Sequence, residues 1–366
     1  MITVSASLKK ELQEFARARG CELFGIAPVA LFDELEFYPK WLSAGYAGNM
    51  AYLHRQLPKR LDARQILPEA KSVIVIGIIY HTPQPLSLEI RDPERGWISR
   101  YAWGDDYHDV LLRKLEALDG FLRARVGAEY QGKFYVDTGP VLDRVFAKYA
   151  GIGWFGKNTN LINQKLGSWF FIGELLTNLA LEVDAPPPDR CGTCQRCLDA
   201  CPTDAFVAPY VLDASRCISY LTIELRGVIP DELRAPLGNH LFGCDICQDV
   251  CPWNRKAAVT ETPEFLPRPN AVAPRLSELA ELSEEDFRQR FKNSPVKRAK
   301  WRGFMRNVLA ALGNSGERTF LEIVKRFMDH SDPMLAETAR WAAQRLQTAE
   351  EEKSEQENVA FPHEFV

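Results

Sequence analysis

Eight of the chain's nine cysteines fall between Cys191 and Pro252. Cys191, Cys194, Cys197 and Cys201, followed by Pro202, spell C-x2-C-x2-C-x3-C-P, the ligand run of two-cluster iron–sulfur modules. Cys244, Cys247 and Cys251, followed by Pro252, repeat the end of that run, and Cys217 stands between the two. Thiolates are soft ligands that suit iron, and two-residue gaps let one loop carry three of them around one edge of a cluster. In such modules the last cysteine of each run ligates the other run's cluster. The pattern therefore assigns Cys191, Cys194, Cys197 and Cys251 to one 4Fe–4S cluster, and Cys201, Cys217, Cys244 and Cys247 to a second. Structural zinc is the competing reading, but it prefers separated pairs to three closely spaced cysteines. A disulfide framework would call for a secretory segment, and none is seen. A chain with this stretch carries electrons.

With 366 residues there is room for two or three domains, so the cluster module is an insert in something larger. The 46% apolar and 26% charged content is that of a soluble globular protein. No apolar run approaches the roughly 20 residues that span a bilayer. Met1–Ser5 shows neither a basic leader nor a twin-arginine signal, which predicts a cytoplasmic protein. The net charge of −4 argues against nonspecific nucleic-acid binding by the whole surface, though not by a local patch.

Before the cysteines the pattern alternates. Leu8, Leu12 and Phe15 predict a helix with Gly20 as its C-cap, and Cys21–Ile26 a short strand. Cys21, the ninth cysteine, reads as a small buried apolar residue. Ser72–Tyr80 is a β-branched run suited to a strand buried on both faces. Leu111, Leu115, Leu118 and Leu122 mark an amphipathic helix, Lys133–Val136 another strand, and Thr159–Ile162 and Trp169–Leu176 two more. This alternation predicts an α/β or α+β domain over residues 1–180, within a chain of α+β class. Asp137, directly after a strand, is placed either to face a ligand crevice or to hydrogen-bond within its turn. Gly151, Gly153 and Gly156 would let backbone approach a large ligand closely, with Lys157 and Asn158 as donors. The polar and aromatic cluster Ser99–His108 suits a site lining or, through Asp105 and Asp106, a helix start.

A stiff proline linker, Asp184–Asp189, leads into the cluster module at residues 181–262. Residues 263–349 are helical in pattern, with Leu276–Phe287, Trp301–Leu312, Thr319–Phe327 and Pro333–Leu346 as predicted helices, a HEAT-like arrangement; residues 350–366 are an acidic, frayed tail. Between Phe287 and Gly316 there are eight Lys or Arg and no Asp or Glu. A solvated helix face normally mixes signs, so this run predicts a phosphate-rich partner. RNA is a natural one, with Trp301 available for stacking or for packing.

Taken together these residues closely resemble epoxyqueuosine reductase, the cobalamin-dependent iron–sulfur family that finishes queuosine synthesis on tRNA. The resemblance runs from about Leu8 to Leu346 and rests on Arg100–His108, Asp137 with Gly139-Pro140, Gly153–Asn158, both cysteine runs and Ser294–Arg298. It implies an N-terminal cobalamin-binding domain, a ferredoxin-like domain and a C-terminal helical domain that helps hold tRNA. The clusters would feed cobalamin with electrons from an external low-potential donor, and Asp137 would protonate the oxygen leaving the epoxide. For that its carboxyl must be kept protonated by burial beside the corrin. Arg60, Arg100, Lys157, Asn158 and Ser168 would surround corrin or substrate, with Ser219 and Asp245 near the second cluster. Lys297, Arg298, Lys300 and Arg302 would bind tRNA. No histidine has the setting of the Asp-x-His-x-x-Gly cobalt-ligand motif, so none is given a metal role. A self-contained chain with its own tRNA-binding part favours a monomer.

Three rivals differ in what they predict. A reductive dehalogenase shares the cofactors but is typically exported and lacks a basic helical C-terminal part. A plain electron carrier would bind neither corrin nor tRNA. A helical RNA-binding scaffold with structural clusters would bind tRNA without turnover.

Overall fold

The computed structural model describes residues 6–360, and side chains from residue 7 to residue 348. It divides into two compact units, neither of them one contiguous stretch. The first comprises Met1–Gln84, Gly104–Ser215 and Ile246–Leu266; the second comprises Pro85–Trp103, Arg216–Asp245 and Pro267–Val366. Among the described residues no helix is long and apolar enough to cross a membrane.

The first unit is built on a four-stranded sheet. Its strands are β1 (Leu23–Pro28), β2 (Ser72–Ile79), β3 (Gly132–Tyr135) and β4 (Phe170–Thr177), in the order β1-β2-β4-β3. Every pairing is antiparallel. Of the two expectations for this part, the structure therefore takes α+β and not α/β. The β-branched run of β2, buried along its whole length, fits a central antiparallel strand covered on both faces as well as it fits a parallel one. Helix α1 (Ala6–Arg17) buries Leu8 and Leu12 and ends toward Gly20, at φ 73. Helix α2 (Tyr107–Val126) buries the predicted leucine stripe, and its Leu111 and Leu115 close over Gly173 of β4. Helix α3 (Asp143–Tyr149) covers the opposite face, where Val145 and Phe146 pack with Val73, Val75 and Leu176. The predicted strand Thr159–Ile162 shortens to Leu161–Ile162, which pairs with Trp154–Phe155. Thr159 sits at φ 63 in the turn, its N–H bonded to the Gly156 carbonyl.

The second unit has one core, running from Trp97 and Trp103 through Leu241 and Phe242 to Leu346. At its centre lies α4 (Lys300–Asn314), packed so closely on α5 (Pro333–Ala360) that a Cβ on Gly313 would come within 2.8 Å of Ala342. The predicted helix Leu276–Phe287 is two helices, Leu276–Ala280 and Glu284–Arg290, because Ser283 caps the second with a reciprocal bond to Asp286. Helix α5 runs into the segment predicted to fray from Glu350; the side chains there, and residues 361–366 altogether, lie outside the described residues.

His240 is buried in this unit, with Nδ1 on the Leu237 carbonyl at 3.0 Å. Burial pushes its imidazolium down to about 4 from 6.5. As pH falls from 6.5 to 4, the unfolded chain takes up a proton that the folded chain refuses. Stability should therefore drop by about 3 kcal/mol over that window and level off below it. Denaturant titrations across the window test this, and His240→Asn should flatten that part of the curve.

Candidate functional site

Four of the eight cluster cysteines belong together in the first unit. Cys251 is buried against Trp154 and Ile162, with Cys191 and Trp253 packed around them. Burial first, then the charges of Cys251, Cys191 and Cys194, pushes the Cys197 thiol up to about 11. Burial likewise raises Cys251, and the charges of Cys191 and Cys194 add to it. The first cysteine run thus closes around Cys251, the set that the ferredoxin pattern requires. Among the described residues no three His, Cys, Asp or Glu side chains crowd tightly enough for a single ion. The buried Trp154 indole N–H has no hydrogen-bond partner in the chain.

Of the other four, Cys201 and Cys247 lie in the first unit and Cys217 and Cys244 in the second. Cys201 accepts from the Ala205 N–H at 3.4 Å, and Cys247 from Asn160 Nδ2 at 3.7 Å. Cys217 leads directly into the helix Ile218–Ile223, on which Ser219 is half-buried. Cys21, by contrast, is 3% exposed, and burial pushes its thiol up to about 11, the setting of an inert structural cysteine.

The glycine-rich loop serves these cysteines. Lys157 Nζ donates to the Gly192 carbonyl at 2.7 Å and Asn158 Nδ2 to the Cys247 carbonyl at 3.2 Å. A Cβ on Gly153 would sit 2.4 Å from the Ile162 carbonyl, and one on Gly156 2.6 Å from the Ile162 side chain. The close backbone approach predicted for a large ligand is thus made to the facing strand of the hairpin. Asn160 carried no role in the sequence reading, although it ends the polar run Lys157–Asn160 that identifies the loop.

Asp137 stands apart from that cluster. It follows β3 at φ 56, a left-handed conformation that a non-glycine residue adopts only where its surroundings hold it. Its side chain is 64% exposed. Tyr107 Oη donates to Asp137 Oδ2 at 2.5 Å, and His108 Nε2 lies 3.8 Å from the same oxygen. His108 Nδ1 is 2.7 Å from Oδ1 of the buried Asp106. Beneath Asp137 lies a second acidic pair. Glu174 on β4 is fully buried, and burial, then the neighbouring Asp143 carboxyl, holds it well above the usual carboxylate range. Asp137 adds to that repulsion. No donor reaches either Glu174 oxygen or Asp143 Oδ1, and burial raises the Asp143 carboxyl as well. Lone charged residues inside strands and turns gave no sign of this pairing in the sequence.

The remaining predicted residues divide. Arg60 donates from Nη1 to the Val141 carbonyl at 3.2 Å, in the loop after Asp137, and its buried Nε has no acceptor. Ser168 is enclosed by Asn254 and Gln248: its N–H donates to Asn254 Oδ1 at 2.7 Å, and its Oγ accepts from Gln248 Nε2 at 3.0 Å. Arg100 and Asp245 are buried partners in the second unit. Asp245 accepts from Trp97 Nε1 at 3.0 Å, Ser99 Oγ at 2.5 Å and the Arg100 N–H at 2.7 Å. The Arg100 guanidinium reaches the Pro85 carbonyl and lies over Trp103.

The basic run is less basic in space than in sequence. Arg306 is fully buried, donating to the Leu225 and Gly227 carbonyls at 2.9 and 2.5 Å, and desolvation lowers it to about 9. Asn307 beside it bonds the Thr222 and Leu241 carbonyls, so α4 grips the segments that follow Cys217 and precede Cys244. Arg298 pairs with Glu224, Arg302 with Asp332, and Arg288 with Glu284 and Glu285. The neutralising acids come from outside the run, where a count along the sequence does not see them. Lys297 and Lys300 are exposed on the same stretch. Trp301 donates to the Leu282 carbonyl at 2.7 Å and packs against the core, which decides between its two expected roles.

With this geometry in place, comparison with known proteins is decisive. Residues 60–138 match the family model described as "Epoxyqueuosine reductase QueG, DUF1730", and residues 190–254 the "4Fe-4S double cluster binding domain". The epoxyqueuosine reductase of Leadbetterella byssophila is 45% identical over 82% of this chain and 96% of its own. The chain belongs to the epoxyqueuosine reductase family. The crystal structure of an epoxyqueuosine reductase with a tRNA-Tyr epoxyqueuosine-modified stem loop superposes at a TM-score of 0.86, with 35% identity over 93% of this chain and 90% of that one. The Bacillus subtilis epoxyqueuosine reductase, with its catalytic aspartate loop swung out of the active site, gives a TM-score of 0.84 at 35% identity, covering 94% of each chain. Like them, this chain is an oxidoreductase with an iron–sulfur module.

Replacing one ligand separates the cluster sites. Cys251→Ser should lower the iron and sulfide content of reconstituted protein by about half, since one of two clusters loses a ligand. Full iron content would place Cys251 outside the set.

Proposed function

We propose that this enzyme reduces the epoxide of epoxyqueuosine at the wobble position of a tRNA anticodon to give queuosine, with Asp137 as general acid. The observation that carries this reading is Asp137 itself: an exposed carboxylate in a left-handed turn at the end of β3, braced by Tyr107. It lies in the same unit as the four-thiol cluster site, in a chain of this family. The relative crystallised with a modified tRNA stem loop supports the substrate, and the mobile catalytic aspartate loop of the Bacillus subtilis enzyme supports the residue.

On this reading two 4Fe–4S clusters, one on Cys191, Cys194, Cys197 and Cys251 and one on Cys201, Cys217, Cys244 and Cys247, carry electrons inward from an external low-potential donor. Residues 1–180 hold cobalamin, 181–262 the clusters and 263–349 a HEAT-like tRNA-binding region, in a cytoplasmic monomer. The fit to cobalamin rests on Arg60, whose buried Nε has no acceptor in the chain and suits an acceptor-rich ligand beside the loop after Asp137. When bound, cobalamin would supply a cobalt centre able to deliver electron density to an epoxide carbon. The chain's own contribution is then to hold the base, exclude water and protonate the leaving oxygen. To act as an acid at neutral pH Asp137 must keep a proton, which burial beneath the bound ligands favours. Lys157, Asn158 and Ser168 shape the surroundings of the clusters and the loops that carry them, and Arg100, Ser219 and Asp245 do so in the second unit.

Asp137→Asn keeps the side chain's shape and removes its proton. It should slow turnover by about 10²- to 10⁴-fold while corrin and tRNA still bind. Loss of corrin binding instead would reassign Asp137 to the cofactor. The tRNA contacts should concentrate on Lys297 and Lys300, with Arg298 and Arg302 in supporting positions. Lys297→Glu with Lys300→Glu should weaken tRNA binding and flatten its dependence on log salt by about one to two units of slope. An unchanged slope would mean that this stretch is ordinary surface.

A further inference from the structure

Removing an epoxide oxygen as water breaks two C–O bonds, forms one C=C bond, and consumes two electrons and two protons. The electrons come from the reductase's low-potential donor. A single carboxylic acid supplies one proton, so Asp137 must be recharged once within each turnover, when bound ligands cut it off from solvent. This need rests on the reading of Asp137 as the acid.

We propose that His108, oriented by Asp106, is the positioning residue that returns a proton to Asp137. Ionised Asp106 can only accept, so the 2.7 Å contact with its Oδ1 requires a proton on His108 Nδ1. That leaves Nε2, a buried atom without a hydrogen-bond partner, turned toward Asp137 Oδ2 at 3.8 Å. One small side-chain movement or one bridging water closes that gap. The His108 side chain is 26% accessible, and it enters each turnover as the imidazolium, its Nε2 proton loaded before bound ligands cover Asp137. Imidazole titrates near neutrality, where a shuttle must both take up and release a proton. In the transfer, Nε2–H breaks and Asp137 Oδ2–H forms; imidazolium becomes neutral imidazole and carboxylate becomes acid. Asp106 keeps its bond to Nδ1–H throughout, as in a triad whose carboxylate fixes the tautomer without taking the proton.

Asp106 lies on the same turn, and Asp143 of α3 and Glu174 of β4 stand beneath Asp137. Tyr107 stacks on the His108 ring at 4.1 Å and donates to Asp137 Oδ2, which keeps both side chains in register. Glu174 is fully buried, whereas the His108 side chain is partly accessible.

The test uses the reconstituted enzyme with epoxyqueuosine-containing tRNA in single-turnover mode, together with ¹⁵N NMR of the cofactor-free chain. His108→Ala should slow turnover by about 10²-fold with KM for tRNA unchanged, and added imidazole should restore the rate. His108→Gln, which keeps a polar contact to Asp106, should be equally slow. In the wild-type chain the His108 ring should carry its neutral-form proton on Nδ1, and Asp106→Asn should move it to Nε2 and slow turnover. Wild-type rates in His108→Gln, a His108→Ala defect that imidazole does not relieve, or a proton on Nε2 in the wild type would each overturn the proposal. Asp137→Asn separates the two levels. If it is inactive while His108→Gln is normal, only the shuttle fails; if it is active, the acid itself was misassigned.

Discussion

The antiparallel seat of β4 between β2 and β3 is the constraint on which the site depends. Register pairs Glu174 with Val75 on one side and with Tyr135 on the other. A carboxyl is thereby fixed on the face covered by α3, two residues from the point where β3 delivers Asp137. A slip of one residue would turn Glu174 to the opposite face and bring an apolar neighbour inward. The apolar run of β2, buried throughout, forbids that slip, because Val73 and Val75 are committed to the core under α3. The strained turn at Asp137 is held by the same framework, with Tyr107 at the first turn of α2 reaching across to its carboxylate.

A division of labour follows from the same residues. Two of the cysteines are supplied with N–H donors: Asn160 for Cys247 and Ala205 for Cys201. Carboxyls raised by burial are short of them: neither Glu174 oxygen nor Asp143 Oδ1 has a donor. One unit thus keeps an electron-carrying region and a proton-carrying region chemically distinct. In the second unit, Arg306 and Asn307 tie the helix that bears the basic run to the segments flanking Cys217 and Cys244.

What could be read along the sequence was whatever depends on local spacing. The cysteine pattern identified the four thiols that converge, because ligand gaps of two residues are a property of one loop. The β2 run placed the central strand to within a residue, and the leucine stripe marked the buried face of α2. What could not be read depends on partners distant in sequence. Arg298, Arg302 and Arg288 look unpaired until Glu224, Asp332 and Glu284 fold against them, and Arg306 looks like a phosphate ligand until it is found among backbone carbonyls. The glycines of Gly153–Gly156 seem made for a ligand until Ile162 is seen to fill the space above them. Tyr107 and Asp137, thirty residues apart, give no sign of each other until α2 and β3 are side by side.

The central claim is that electrons entering through the clusters leave as reduction of an epoxide on tRNA. It is met most directly by reconstituting the clusters under anaerobic conditions, adding cobalamin, a strong one-electron reductant and tRNA carrying epoxyqueuosine, and digesting the tRNA for nucleoside analysis. Queuosine should replace epoxyqueuosine in step with reductant consumed, at two electrons per nucleoside. Epoxyqueuosine left unchanged, with the clusters reduced and corrin bound, would contradict the claim.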